Sequence, residues 1–200
     1  MSTSAFFWNA AGLFLIFLWV FQRMLFGGRR FIFAVLGAAA LSLVPFFGHV
    51  PRYWLSGMTP NISVPLIVVL LASIASRAGW GTWFRSREWR AAWIFGAIAS
   101  LVLYPSAMGL GLSNFDSYSL GWPWLEWNRS LLLFGGVAVT AGFLVWRGNR
   151  FGWVLVLVAV VYLLRIQESW NFWDGLLDPL YGVASLCGVM VLIVRGSVRR

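Results

Sequence analysis

The chain has 200 residues, 60% of them hydrophobic and only 10% charged, with a formal net charge of +9. Soluble domains carry about 25% charged residues, so the composition excludes an ordinary water-soluble globule. It predicts an all-α integral membrane protein: one transmembrane domain over residues 1–200, built as a bundle of about seven transmembrane helices. The positive charge would suggest nucleic acid in a soluble chain. Here the basic residues, all arginine, stand in short loops between apolar runs, the pattern of membrane orientation, and no nucleic-acid partner is expected.

A bilayer core of about 30 Å takes roughly 20 helical residues. The first run, 5–26, sits in "MSTSAFFWNAAGLFLIFLWVFQR", where no positive charge precedes the apolar stretch and Arg23 follows it. That order predicts an uncleaved anchor with its N-terminus outside, not a secretory signal. The second run is 31–49. The third, 64–84, is interrupted by Arg77, so the stretch from Arg77 to Arg90 leaves the core early as an alternative. The fourth is 91–111. After a long aromatic loop, "GLSNFDSYSLGWPWLEWNRS", come 130–146 and 151–167, both short, with Arg165 snorkelling to headgroup depth. The last is 177–194, and Asp178-Pro179 is a good start for it, aspartate as N-cap and proline in the first turn.

Seven spans place every arginine-rich loop on one side. Arg23, Arg29, Arg30, Arg77, Arg85, Arg87, Arg90, Arg147, Arg150, Arg195, Arg199 and Arg200 share that side with the single acid Glu88. The other side holds Arg52, Arg129 and Arg165 against Asp116, Glu126, Glu168, Asp174 and Asp178. The positive-inside rule then predicts an N-out, C-in protein of a cell inner (cytoplasmic) membrane. The 14 tryptophans divide evenly between the two faces, as interfacial aromatic belts do. Small residues four apart (Ala38/Ser42, Gly96/Ser100, Gly136/Thr140, Ala184/Gly188) read as helix packing.

Chemistry is scarce. Cys187 and His49 are single, which leaves no intramolecular disulfide, no cysteine-cluster metal site and no bis-histidine haem. Serine-hydrolase, zinc-protease and phosphate-loop motifs are absent, and neither metal nor cofactor is expected. The acids do collect outside. Loops of more than about 12–15 residues are often functional, and residues 111–130 read as an aromatic lid folded onto the bundle. A candidate outer-face site is therefore Asp116, Asp174, Glu168 and Glu126, with Arg52, Arg129 and Arg165 nearby and Trp170 and Trp173 as walls. Such a group could bind a cation, carry a proton or hold an anionic headgroup. Against this, Asp178 is accounted for by capping and Glu168 by a helical ion pair with Arg165.

The fragments Gly28-Arg29-Arg30-Phe31 and Gly148-Asn149-Arg150-Phe151 follow apolar runs in corresponding places. Two three-helix units of the same sense about a central fourth resemble the layout of the SWEET and PnuC-type vitamin transporters. That resemblance rests on layout and one four-residue echo, and it implies small-solute transport. The leading expectation is different: a non-catalytic accessory or subunit of a cell-envelope complex, with membrane lipids and another membrane protein as partners. A membrane enzyme acting on a lipid-linked substrate at the outer face is the third alternative.

Overall fold

The computed structural model describes residues 3–24, 31–45, 47–59, 61–110, 116–122 and 127–198. Among these the chain forms α1 (Thr3–Met24), α2 (Phe31–Leu43), α3 (Pro51–Met58), α4 (Val64–Arg77), α5 (Ser86–Ala107), a 3-10 turn (Ser117–Gly121), α6 (Trp127–Trp146), α7 (Phe151–Leu163), α8 (Phe172–Leu176) and α9 (Pro179–Val198), with no strand. The protein is all-helical. Each of the seven apolar runs becomes a helix. Two of them, Phe6–Met24 and Ser86–Ala107, are long and apolar enough to cross a membrane; the apolar parts of the other five run 10–17 residues.

The shortening has local causes. The second run stops at Leu43, six residues early, because Pro45 follows and Phe47 and Gly48 take positive φ. The third stops at Arg77 rather than 84. Gly79 adopts the left-handed conformation (φ 79), and Trp80 N–H closes on the Ala75 carbonyl at 2.9 Å. The sixth stops at Leu163 rather than 167, with Arg165 in the same conformation (φ 53). The fourth, conversely, begins at Ser86, five residues before 91. Glu88 accepts the Arg85 N–H at 2.8 Å and so caps α5 one turn upstream of the apolar run. Two short helices, α3 and α8, lie in what the sequence reads as loops.

Packing follows small residues. The α1–α2 and α6–α7 hairpins flank α4, which also touches α9, and α5 lies along α9. At Gly96 an added Cβ would overlap the Ser185 side chain and come within 2.9 Å of the Tyr181 ring. At Gly188 it would meet the Trp93 indole at 2.6 Å. These two small-residue pairs therefore bring α5 and α9 together, as expected. The core beneath is apolar: Ile62, Val64, Leu155, Val158, Leu176 and Tyr181 are fully buried.

The outside is apolar too. Ile94, Ile98 and Leu101 on α5, Leu132 and Val139 on α6, Leu163 on α7 and Met190 on α9 are all exposed. Polar contacts concentrate at two ends. At one end Trp8, Asn9, residues 59–63, 117–118 and 167–178 meet. At the other, Arg77 Nη1 reaches the Gln22 carbonyl, Arg87 Nη2 the Gly148 carbonyl at 2.6 Å, and Arg150 Nη1 the Trp83 carbonyl at 2.9 Å. Every described acid except Glu88 is at the first end.

Candidate functional site

The acidic end is built around a stretch of extended chain. Between α3 and α4, Thr59, Asn61, Ile62 and Ser63 are buried without being helical. Buried backbone groups need partners, and side chains from three distant segments provide them. Asn9 Oδ1 accepts the Ile62 N–H at 3.1 Å. The Ile62 carbonyl accepts both Trp8 Nε1–H (2.7 Å) and Gln167 Nε2–H (3.0 Å). In return Asn61 Oδ1 accepts the Glu168 N–H at 3.0 Å.

Asp178 completes this knot. Its Oδ1 accepts the Tyr181 N–H at 2.9 Å, capping α9 as the sequence predicts. Its Oδ2 accepts the Ser63 N–H at 2.8 Å, at the start of α4. One carboxylate thus joins two helix N-termini at 1% exposure.

A second cluster holds the loop before α6. Asn171 Nδ2 donates to the Tyr118 carbonyl (3.0 Å), Trp173 Nε1 to the Ser117 carbonyl (2.8 Å), and Ser117 Oγ to the Leu103 carbonyl. Gly121 rests so closely on the Asn171 carboxamide that no Cβ fits there. Residues 117–121 of the long loop therefore pack against α8. Asp174 is buried beneath them, accepting the Tyr118 hydroxyl at 3.0 Å and the Ser169 hydroxyl, and burial raises its pKa. The same burial, with the Asp174 charge beside it, raises the Tyr118 phenol.

The expected site residues therefore separate. Asp116 is exposed and caps the 3-10 turn through the Tyr118 N–H (2.9 Å), while Asp174 holds the other end of that tyrosine. The two carboxylates meet the same residue from different sides, Asp116 exposed and Asp174 buried. The sequence allows Asp174 and Asp178 one helix face only if α9 begins upstream of Asp178; it begins at Pro179, and Asp174 belongs to α8. Trp173 is buried, not an exposed wall. Trp170 is exposed and carries the Arg165 guanidinium 4.0 Å over its ring, with Tyr162 at 5.0 Å on the other contact. Arg165 thus lies on the faces of Trp170 and Tyr162. Glu168 is exposed, its backbone N–H tied to Asn61. Glu126 lies outside the described residues, as do the side chains of Arg52 and Arg129 in α3 and α6. His49 stacks on Tyr53 at 4.0 Å, exposed.

Sequence reasoning passed over Asn9, Asn61, Tyr118 and Gln167. For Asn9 and Gln167 a signal was available: a carboxamide at the end of an apolar run needs hydrogen-bond partners. Among the described residues no group of three or more His, Cys, Asp or Glu is placed to hold a metal ion.

The pKa directions yield one prediction here. An acid whose pKa is raised by folding binds its proton more tightly in the folded state. Stability is then greatest below the ordinary carboxylate range and declines as pH rises through the raised value. Asp174→Asn should make that decline shallower while preserving the Tyr118 contact, as followed by thermal unfolding in mild detergent from acid to neutral pH. An unchanged slope in the variant would remove Asp174 from the account.

The sequence matches no protein-family model, and comparison with curated proteins and with solved structures likewise finds no match.

Proposed function

We propose that the protein is a multi-pass membrane protein of seven spans, N-terminus outside and C-terminus cytoplasmic, serving as a non-catalytic subunit beside another membrane protein. The division into two polar ends supports the crossings: the seven long helices alternate between an acidic end and an arginine-rich end, and apolar side chains cover the flanks between. The shorter helices are completed by the buried extended segments and interfacial side chains that continue them, since non-helical backbone is tolerated where protein encloses it.

One observation carries the subunit reading. On α5 and α9, Gly96, Gly182 and Gly188 are filled against by neighbours, whereas Gly135, Gly136 and Gly142 on α6 meet nothing within 4 Å of an added Cβ. That open glycine face borders a groove of about 510 Å³ between α5 and α6, lined by Ile94, Ile98, Leu132, Gly136 and Thr140. In lipid such faces are where backbones of separate helices approach. The outer acids support the same reading, because Asp174 and Asp178 are engaged by the protein's own donors.

Transport is the weaker alternative. A transport path needs polar groups near the midplane, and of the few there Ser73 accepts Trp19 Nε1–H while Ser100 and Thr140 back-bond to Gly96 and Gly136; Ser185 is fully buried on α9, and its hydroxyl has no partner among the described residues. Outer-face lipid chemistry is weaker still, since Asp174 is buried against the Tyr118 hydroxyl while Asp116 is exposed and caps the 3-10 turn.

The test is affinity purification from native membranes in mild detergent, comparing the natural chain with Gly136→Leu. A stoichiometric membrane-protein partner that the variant loses is the expected result. A chain that purifies alone from both preparations would end the subunit reading.

A further inference from the structure

The arginine-rich end contains a second crevice that the subunit reading does not use. It has a volume of about 400 Å³, within the roughly 300–1,000 Å³ usual for small-molecule sites. Helix α4 contributes Leu66, Val69, Leu70 and Ser73, a stripe spanning seven helical steps and so about 10 Å from end to end. Facing it are Ile16, Trp19 and Arg23 from α1, and Trp89 and Trp93 from α5 with Leu180 and Ala184 from α9. The crevice is therefore elongated along the helix axes, apolar over its length and basic at one end.

That basic end is uncompensated. The Arg23 guanidinium lies 4.8 Å over the Trp19 ring, which Trp19 Nε1–H fixes by donating to Ser73 Oγ at 3.0 Å. Arg77 Nη1 donates to the carbonyl of Gln22, the residue next to Arg23. Among the described residues neither has a carboxylate partner; Glu88, the acid at this end, is bound by Arg87 at 2.7 Å. A guanidinium lining the mouth of an apolar channel, with a second arginine bonded to the backbone of the preceding residue, calls for an anion joined to a hydrocarbon chain.

We infer that this crevice is a binding site for an anionic phospholipid of the cytoplasmic leaflet. One acyl chain lies along α4 between α1 and the α5–α9 pair, and the phosphate is held by Arg23 and Arg77. Arginine suits this role because its planar fork pairs with phosphate oxygens while its face stays on an indole. Neutral lipids would fill the channel and leave the two charges unpaired, so the site discriminates by headgroup. The inference rests on the multi-pass reading for its choice of leaflet.

The experiment uses the full chain in nanodiscs of phosphatidylcholine containing a minor fraction of phosphatidylglycerol, released for native mass spectrometry with lipids retained. The natural chain is expected to keep one phosphatidylglycerol in preference to phosphatidylcholine. Arg23→Gln/Arg77→Gln should lower that preference by roughly 30-fold, the factor that two basic groups contribute beside an anionic leaflet. Arg23→Lys/Arg77→Lys, which keeps both charges, should retain most of it and shows that the fold is not what was lost. Leu70→Trp, with both arginines in place, should expel the lipid by filling the channel, and glycerol phosphate without acyl chains should not compete. No headgroup preference in the natural chain, or equal preference in the glutamine variant, overturns the site. A chain that is stripped from membranes by alkaline carbonate would overturn the multi-pass reading itself, and with it the leaflet assignment; an integrated chain without preference overturns the lipid site alone.

Discussion

Asp178→Ala is expected to lower the unfolding free energy by about 3 kcal/mol, the sum of leaving two buried N–H groups, those of Ser63 and Tyr181, without an acceptor. The effect is large because one carboxylate serves two helices. Loss of an ordinary N-cap costs about 1 kcal/mol, and water readily replaces it. Here the position is 1% exposed, and both α4 and α9 lose their anchor together. Asp178→Asn keeps one acceptor oxygen and should fall between the natural protein and the alanine variant. Unfolding by titration of a harsh detergent into mild micelles measures the difference. If alanine unfolds at the same detergent fraction as aspartate, the tie between α4 and α9 is not where the stability lies.

Gly96→Val is the second large effect, expected at about 3 kcal/mol or more from overpacking with a β-branched side chain. The added Cβ falls on the Ser185 side chain and 2.9 Å from the Tyr181 ring, and Tyr181 is held in place by its hydroxyl bond to the Ala92 carbonyl at 2.7 Å. Neither neighbour has room to yield, so α5 and α9 must separate. Gly136→Val on α6 is the matched control, since nothing lies within 4 Å of its Cβ position. It should leave the isolated chain as stable as the natural one. Equal destabilisation by the two would mean that glycine flexibility, and not close packing, explains both sites.

The contrast between these two glycines shows how much of the structure was legible in the sequence. Both stand in small-xxx-small pairs, Gly96/Ser100 and Gly136/Thr140, and nothing local distinguishes them. Only the placement of α9 against α5 makes one filled and the other open. The acidic end behaves similarly. That Asp178 would start a helix was readable, because capping depends on four consecutive residues. That its second oxygen would hold Ser63, 115 positions away, was not. Asp116 and Asp174 looked like members of one site because they are acids in neighbouring outer loops; the fold assigns them to opposite ends of Tyr118.

What the sequence determined by itself is what depends on composition and short range: an all-helical chain, the seven apolar helices, the start of α9 and the sorting of arginine from acid along the chain. Hydrophobic run length, proline and charge order are local properties, and each acts within a turn or two. Tertiary structure decided which helices pack together and which polar groups are consumed. It decided those because a buried N–H or carbonyl takes whatever partner the packing brings within about 3 Å, and Asn9, Gln167 and Asp178 reach residues 61–63 only once α1, α4 and α9 are already side by side.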